Sequence, residues 1–402
     1  MRTLYLEITP VRFLATRALG KLWSGAYFSR ISPLHFAELP DPPLPMPTWA
    51  RVRNRLCGIC GSDLHQLFLD ADLDIAPAAL PTHKRIYLGH EMVGEITELG
   101  AEVTGLEVGQ RVVRWGRMDD CLARGRDDLC PSCQRGHRVL CEYASEPRAH
   151  EPVGGGFGDS FIAPASSLVP VPDGLSDEQA IFTEPAAVAI HAVWRRKPRS
   201  GEKVLLIGCG TIGCLTLQVI RFLCPDCDIT VLVQFDWQGE MALRLGADRF
   251  LIGIANVYAQ STTVTFAKSY EGMFSNVMLL GGWDVIYDIV GIPATLNHAL
   301  RWARAGGAVV LVGANLRRMK LDLTPVWYQE VDLIGAIGHD VVIWEGRKLS
   351  TFELAMQWMQ AGIIQTTPLL THTFPVEDYR RAFAIATTEK ADARSVKVAL
   401  AL

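Results

Sequence analysis

The sequence predicts an α/β protein of two domains, one β-rich and one built on a doubly wound parallel sheet. Three observations carry this. Before about Glu184 the readable segments are strands. Beyond it strand-like and helix-like segments alternate, the rhythm of βαβ units. A glycine-spaced turn, Gly208-Cys209-Gly210-Thr211-Ile212-Gly213, joins an apolar strand to an apolar helix. A chain of 402 residues is long enough for two such cores. The expected division is 1–185 with 339–402 for the first domain and 186–338 for the second.

The elements follow in order. Residues 1–33 are the least patterned, with a short amphipathic helix at Val11–Leu22. The proline-rich stretch 39–47 is too rigid for a helix and suits an extended connector. At 50–56, Arg51, Arg53 and Arg55 alternate with Val52 and Leu56, the period of a half-buried strand. Residues 91–113 read as strand, turn, strand. In the second domain the predicted strands are 203–207, 229–233, 283–289 and 308–312, and the helices Pro185–Arg196, Ile212–Leu223, Gln238–Leu245 and Ala294–Ala305. Past Gly338 the alternation stops, leaving a helix at 349–361 and a last strand at 395–400.

Composition narrows the function. Hydrophobic residues are 49% and charged residues 20%, with a net charge of -4, a globular balance without the basic footprint of a nucleic-acid or anionic-membrane binder. The basic clump Arg195-Arg196-Lys197-Pro198-Arg199 falls where a helix ends and complements its dipole. The uncharged run Val204–Ile220 contains Gly208, Gly210 and Gly213, which suits a buried strand, turn and helix rather than a membrane span. With no clean apolar core or cleavage site near the N-terminus, a soluble cytoplasmic protein is expected. Ten cysteines in such a chain argue for metal rather than a disulfide framework, since six lie between Cys57 and Cys141.

In its strand-turn-helix setting the glycine loop has the mechanics of a dinucleotide site. Its glycines allow a tight turn, close approach to a pyrophosphate and close helix packing, and the helix N-terminus faces the anion. Gly208, Gly210, Thr211, Ile212 and Gly213 are the candidate cofactor contacts, with Val312 at the end of a later strand. Asp236, just past the second strand, is the acid nearest the position that binds the ribose hydroxyls of NAD; it is alternatively a solvated turn residue. No arginine stands ready for a 2′-phosphate, so the cofactor reads as NAD or NADP, with a lean to NAD.

A second constellation is Cys57-Gly-Ile-Cys60-Gly-Ser62-Asp63-Leu-His65, followed by Gly89-His90-Glu91. Thiolate, imidazole and carboxylate together suit zinc. The order of these motifs, ahead of the glycine loop, resembles the zinc-containing medium-chain dehydrogenases from about Ser32 onward. That resemblance implies a GroES-like catalytic domain beside a Rossmann cofactor domain. It implies that Cys60 and His90 bind a catalytic zinc. Thr183-Glu184-Pro185 is similar to the sorbitol and threonine dehydrogenase branch, so Glu91 joins as a ligand. Glu184 is then a direct ligand or acts through water, and it also suits an N-cap on the helix at Pro185. Asp63 is expected to orient His90. Ser62 would take the alcohol proton and pass it to His65, unless His65 is an ordinary surface histidine. Cys57 reads as a buried small hydrophobe.

Cys121, Cys130, Cys133 and Cys141 form the other group. In the family a structural zinc sits here on four cysteines spaced C-x2-C-x2-C-x7-C. This chain keeps the last three and has Asp127 at the first position. Cys121 on a longer loop, or an Asp127 oxygen, completes the set; His137 is a weaker substitute, and a metal-free lobe is a further option. Four-cysteine closure favours Cys121. Cys209, Cys214, Cys224 and Cys227 read as structural, as do His191 and His298 inside helices.

The implied activity is oxidation of a secondary alcohol, polyol or amino alcohol with hydride passed to NAD(P), in a cleft where the domains meet and with Trp115 as wall or core. The implied partners are a small alcohol or carbonyl and further copies of the chain, in a homodimer or homotetramer, with neither nucleic acid nor membrane. A zinc-free quinone or enoyl reductase would lack the CGSD and GHE motifs. A non-catalytic relative should have lost a zinc ligand or a glycine, and a zinc module binding nucleic acid fits poorly with one cysteine lobe inside a larger acidic fold. The long N-terminus and the stretch 253–282 depart from the family's usual lengths.

Overall fold

The computed structural model describes residues 1–76, 85–116, 119–146 and 153–402. They form two compact units: Met1–Glu184 with His339–Gln360 and Thr366–Leu402, and Pro185–Gly338 with Ala361–Gln365. Among the described residues no helix is long and apolar enough to cross a membrane.

The first unit is built on a seven-stranded sheet whose path runs 370–375, 397–401, 49–58, 91–99, 111–114 and 168–170, with 160–164 paired to the strand Trp49–Gly58. That central strand shows why the sequence folds this way. Its arginines face outward and pair with carboxylates: Arg51 with Glu98 at 2.8 Å, Arg53 with Glu95 at 3.2 Å, Arg55 with Asp177 at 2.7 Å. Val52 turns inward into a core with Ile96, Val112, Phe161 and Leu400, and Leu56 is buried as well. Buried Asn54 donates to the carbonyls of Gly155 and Gly158, at 2.8 and 2.7 Å, and so pins the loop before 160–164.

The N-terminal region holds more order than its pattern suggested. Arg2–Glu7 is a strand between Leu34–Glu38 and Arg85–Tyr87 in a separate three-stranded sheet. Thr3, Leu4, Tyr5 and Leu6 are all buried, so the strand has no alternating face to read. The helix after it runs Pro10–Gly20, its N-cap Thr9 accepting from the N–H of Arg12.

The second unit is a six-stranded parallel sheet in the order 249–252, 228–233, 203–207, 283–288, 303–311, 332–335. Numbered along the chain that is 3-2-1-4-5-6, the doubly wound dinucleotide-binding order, whose direction of winding reverses between 203–207 and 283–288. The helix expected to reach Ala305 ends at Trp302, because Ala303 already pairs with Trp283. The stretch 253–282 forms a helix, Ile254–Thr265, and an antiparallel hairpin of Lys268–Glu271 with Val277–Leu280. The hairpin's first strand is exposed throughout, which left no hydrophobic period to find. Cys224 and Cys227, expected as unpaired structural thiols, are joined as a disulfide, their Cα atoms 5.5 Å apart.

A buried arginine, paired within the cysteine lobe, ties that lobe to the edge of the first unit's sheet. Arg138 and Asp120, 2% and 0% exposed, meet at 2.7 Å; Arg138 also donates to Ser166 O and Ser167 Oγ and lies 4.6 Å over the Trp115 ring. Removing one partner strands a buried charge. Arg138→Met should therefore cost about 3–5 kcal/mol of unfolding free energy, read from denaturant midpoints. Adding Asp120→Asn should recover part of the loss; a single-variant cost under about 1 kcal/mol would mean the pair behaves as a surface one.

Candidate metal centre and dinucleotide loop

Cys60 is the N-cap of a short helix, Gly61–Leu67, that follows directly on the strand Trp49–Gly58. Asp63, the third residue of that helix and 3% exposed, accepts from the N–H of Cys60 at 3.0 Å and the N–H of Gly89 at 3.0 Å. Its Oδ1 also lies 3.5 Å from His90 Nδ1. Burial opposes ionisation of Asp63, but the His90 ring and the two N–H donors outweigh it and hold the carboxyl below its ordinary range. Gly89 has φ +86°, and a Cβ there would fall 2.8 Å from the Phe157 ring and backbone; only glycine lets the two segments meet.

The outcome is a compact donor set. One ligand atom each from Cys60, His90 and Glu91 lies within 4.8 Å of the others. Glu91 is 1% exposed; Lys397 Nζ donates to its Oε2, and its Oε1 is buried without a hydrogen-bond partner. A desolvated carboxylate oxygen facing no donor is the kind of group a metal ion satisfies, and with thiolate and imidazole the set matches zinc chemistry.

Glu184 lies outside that set of three. The helix Thr183–Arg195 starts two residues before the expected Pro185, so Glu184 stands inside its first turn and does not act as an N-cap. Its carboxyl is pushed up to about 7, first by burial and then by Glu91, against the pull of His90 and Lys397. Ser62 Oγ is 3.4 Å from His90 Nε2, and His65 Nδ1 is 3.3 Å from Asp70 Oδ2. Cys57 is fully buried.

The four lobe cysteines form a second set, also within 4.8 Å. Cys130 caps the short helix Pro131–Arg135 and accepts from the N–H of Cys133 and of Glu142, while the N–H of Cys130 points to Cys121 Sγ at 3.4 Å. Burial works against a thiolate at Cys130, but those N–H groups bring it down to about 7. Cys121 is buried with the other three; Asp127 is exposed and outside the set. His137 is also elsewhere, its Nδ1 held by Asp340. His298 stacks on Trp302 in the second unit's core and is no ligand there.

In the second unit Gly208 closes the first strand with φ +96°, and Gly210 caps the helix Thr211–Leu223. A Cβ on Gly213 would meet Gly208 O at 2.1 Å, so the helix packs against the loop only with glycine. Val312 donates to Asp288 O at 2.9 Å just past the fifth strand, and exposed Asp236 opens the helix Asp236–Arg244. Asp288 went unmarked in the sequence. Fully buried, it accepts from the N–H groups of Val290 and Gly291 and from Thr295, and so shapes the turn after the fourth strand. An acid closing the apolar run Val285-Ile-Tyr287, with a threonine seven residues on, was the available signal.

Comparison with known proteins agrees with this geometry. Residues 46–173 match the alcohol dehydrogenase GroES-like domain, and 211–361 match the zinc-binding dehydrogenase domain. The chain is 32% identical to L-idonate 5-dehydrogenase of Vitis vinifera, over 83% of each chain. The chain belongs to the zinc-dependent medium-chain dehydrogenase family. Sorbitol dehydrogenase of Arabidopsis thaliana is 31% identical, over 81% of this chain and 80% of its own. The fold is also that of an alcohol dehydrogenase of Escherichia coli CFT073 solved with NADH, with a TM-score of 0.73, 21% identity, and 100% of this chain and 99% of that one covered. For a zinc-dependent dehydrogenase, the residues present fit both groups: two donor sets of zinc type, and a loop whose glycines leave room for a pyrophosphate.

The lobe gives a direct test. Cys121→Ser should lower zinc by about one per chain and depress Tm, because a closed four-thiolate site contributes folding free energy. Asp127→Asn should keep both unchanged; a zinc loss on that substitution instead would assign the fourth ligand to the carboxylate.

Proposed function

We propose that the chain oxidises a secondary alcohol or polyol, or reduces the matching carbonyl, with NAD(P) as hydride carrier and with zinc at Cys60, His90 and Glu91. The observation that carries this is the buried, unpartnered Glu91 Oε1 beside a thiolate and an imidazole. When bound, zinc supplies the Lewis acidity that brings an alcohol's pKa towards neutral, and the nicotinamide accepts the hydride.

The protein's own groups supply alignment and proton handling. Asp63 holds the His90 ring by Nδ1 and the Cys60 backbone by its N–H, so two donors keep their spacing. Ser62 Oγ, close to His90, takes the proton leaving the alcohol and passes it to His65, whose Nδ1 is steadied by Asp70. Glu184, with its carboxyl poised at about 7, accepts a water or a substrate hydroxyl at the same site. Cys121, Cys130, Cys133 and Cys141 hold a second, structural zinc. Gly208, Gly210, Thr211, Ile212 and Gly213 bind the dinucleotide phosphates, with Val312 beside them and Asp236 turned to the ribose. The polyol preference draws on the idonate and sorbitol dehydrogenase relatives. We read the protein as a cytoplasmic homodimer or homotetramer with a small-molecule substrate.

Metal content by mass spectrometry tests the core of this. The wild type should carry two zincs per chain, by the donor count of the two sets, and Cys60→Ser one, with NAD(P)-linked polyol oxidation lost. Asp63→Asn should keep the fold and lower metal affinity or activity by roughly 10–100-fold. Zinc unchanged by Cys60→Ser would overturn the assignment.

A further inference from the structure

We infer that Lys397 is a positioning residue for the catalytic metal: it grips Glu91 by Oε2 and so presents Oε1 as a single oxygen donor. This rests on the reading that Cys60, His90 and Glu91 hold the ion.

The register of three strands brings the parts together. Gly58 pairs with Glu91 on one side and with Ala399 on the other, two residues beyond Lys397. Lys397 is 3% exposed, and its ammonium has two partners, Ile59 O at 3.0 Å and Glu91 Oε2 at 2.5 Å. Ile59 precedes one proposed ligand and Glu91 follows another, so one cation ties both ligand-bearing segments. The strand between them makes room. A Cβ on Gly58 would fall 2.3 Å from Glu91 Oε2 and 3.2 Å from Lys397 Cδ.

Stability alone gives no reason for such a pair. Desolvating a lysine and a glutamate costs as much as their attraction returns, and an apolar pair of equal volume would serve the core as well. The arrangement makes sense as coordination control. A free carboxylate can chelate a metal through both oxygens. With Oε2 committed to Lys397, Glu91 offers one oxygen, and thiolate, imidazole and that oxygen make three protein ligands. A catalytic zinc needs that number, because the fourth position must stay open. Lys397 thus keeps Glu91 from filling the place meant for the alcohol.

Cobalt(II) reports coordination number directly. The enzyme is prepared with zinc kept in the cysteine lobe and cobalt in the catalytic site, in the wild type, Lys397→Met, Lys397→Arg and Gly58→Ala. The d–d absorption of Lys397→Met should lose intensity, as four-coordinate cobalt becomes five-coordinate, and Lys397→Arg should restore it. Gly58→Ala, which pushes the carboxylate and ammonium apart, should repeat the loss with Lys397 still present, and it covers the case in which Lys397→Met fails to fold. Folded Lys397→Met or Gly58→Ala protein with the wild-type spectrum would overturn the proposal. A cobalt spectrum unaltered by Cys60→Ser would overturn the site itself, and the clamp with it.

Discussion

The candidate metal centre depends on one buried carboxylate. Asp63 binds the backbone of Cys60, the backbone of Gly89 and the ring of His90 at once. It therefore fixes the distance between a helix start and a loop that are nearly thirty residues apart in sequence. Its ionised form is what the three neighbours stabilise, and its burial makes any vacancy among them expensive. Two glycines close by keep space clear for other contacts, Gly58 for the Glu91 and Lys397 side chains and Gly89 for Phe157.

The two donor sets are built on opposite principles. The cysteine lobe is closed: four buried thiols face one another, N–H groups point at their sulfurs, and among the described residues no carboxylate takes part. Such a site is saturated by protein and can only stabilise. Its rigidity is passed on by Arg138, which grips Asp120 inside the lobe and the carbonyl of Ser166 beside the strand 168–170. The Cys60, His90 and Glu91 set holds three donors, mixed in type, with a further carboxyl, Glu184, close enough to be perturbed by them. Mixed and incomplete coordination is what chemistry at a metal requires.

Much of this was legible in the sequence, for physical reasons. The parallel sheet announced itself because its strands are covered on both faces and its first turn needs glycines at set positions. Cys60, Asp63, His90 and Glu91 stand in short motifs whose spacing reflects local geometry, a cap and its third residue, so the site survives reading in one dimension. Partners brought together by topology did not. Arg2–Glu7 pairs with strands some thirty and eighty residues away, and Asp120 meets Arg138 only once the lobe has folded back. The Cys224–Cys227 pairing was missed because both cysteines sit in apolar surroundings and read as structural residues, and the exposed hairpin 268–280 because no burial pattern marks it.

Lys397 shows where a sequence signal existed without a meaning. A single lysine in Ser395-Val-Lys397-Val-Ala-Leu-Ala-Leu402 interrupts a strand that is otherwise apolar and buried, and buried lysine is rare unless paired. Its partner is more than three hundred residues earlier, so spacing offers nothing. Only the antiparallel register, Lys397's strand against 49–58 and that strand against 91–99, puts ammonium and carboxylate side by side. The C-terminal strand is therefore part of the proposed metal site, although no motif places it there. In the proposed centre, the sheet that holds the first unit together also sets how many oxygens Glu91 can offer, which makes the fold's register and the centre's coordination one constraint.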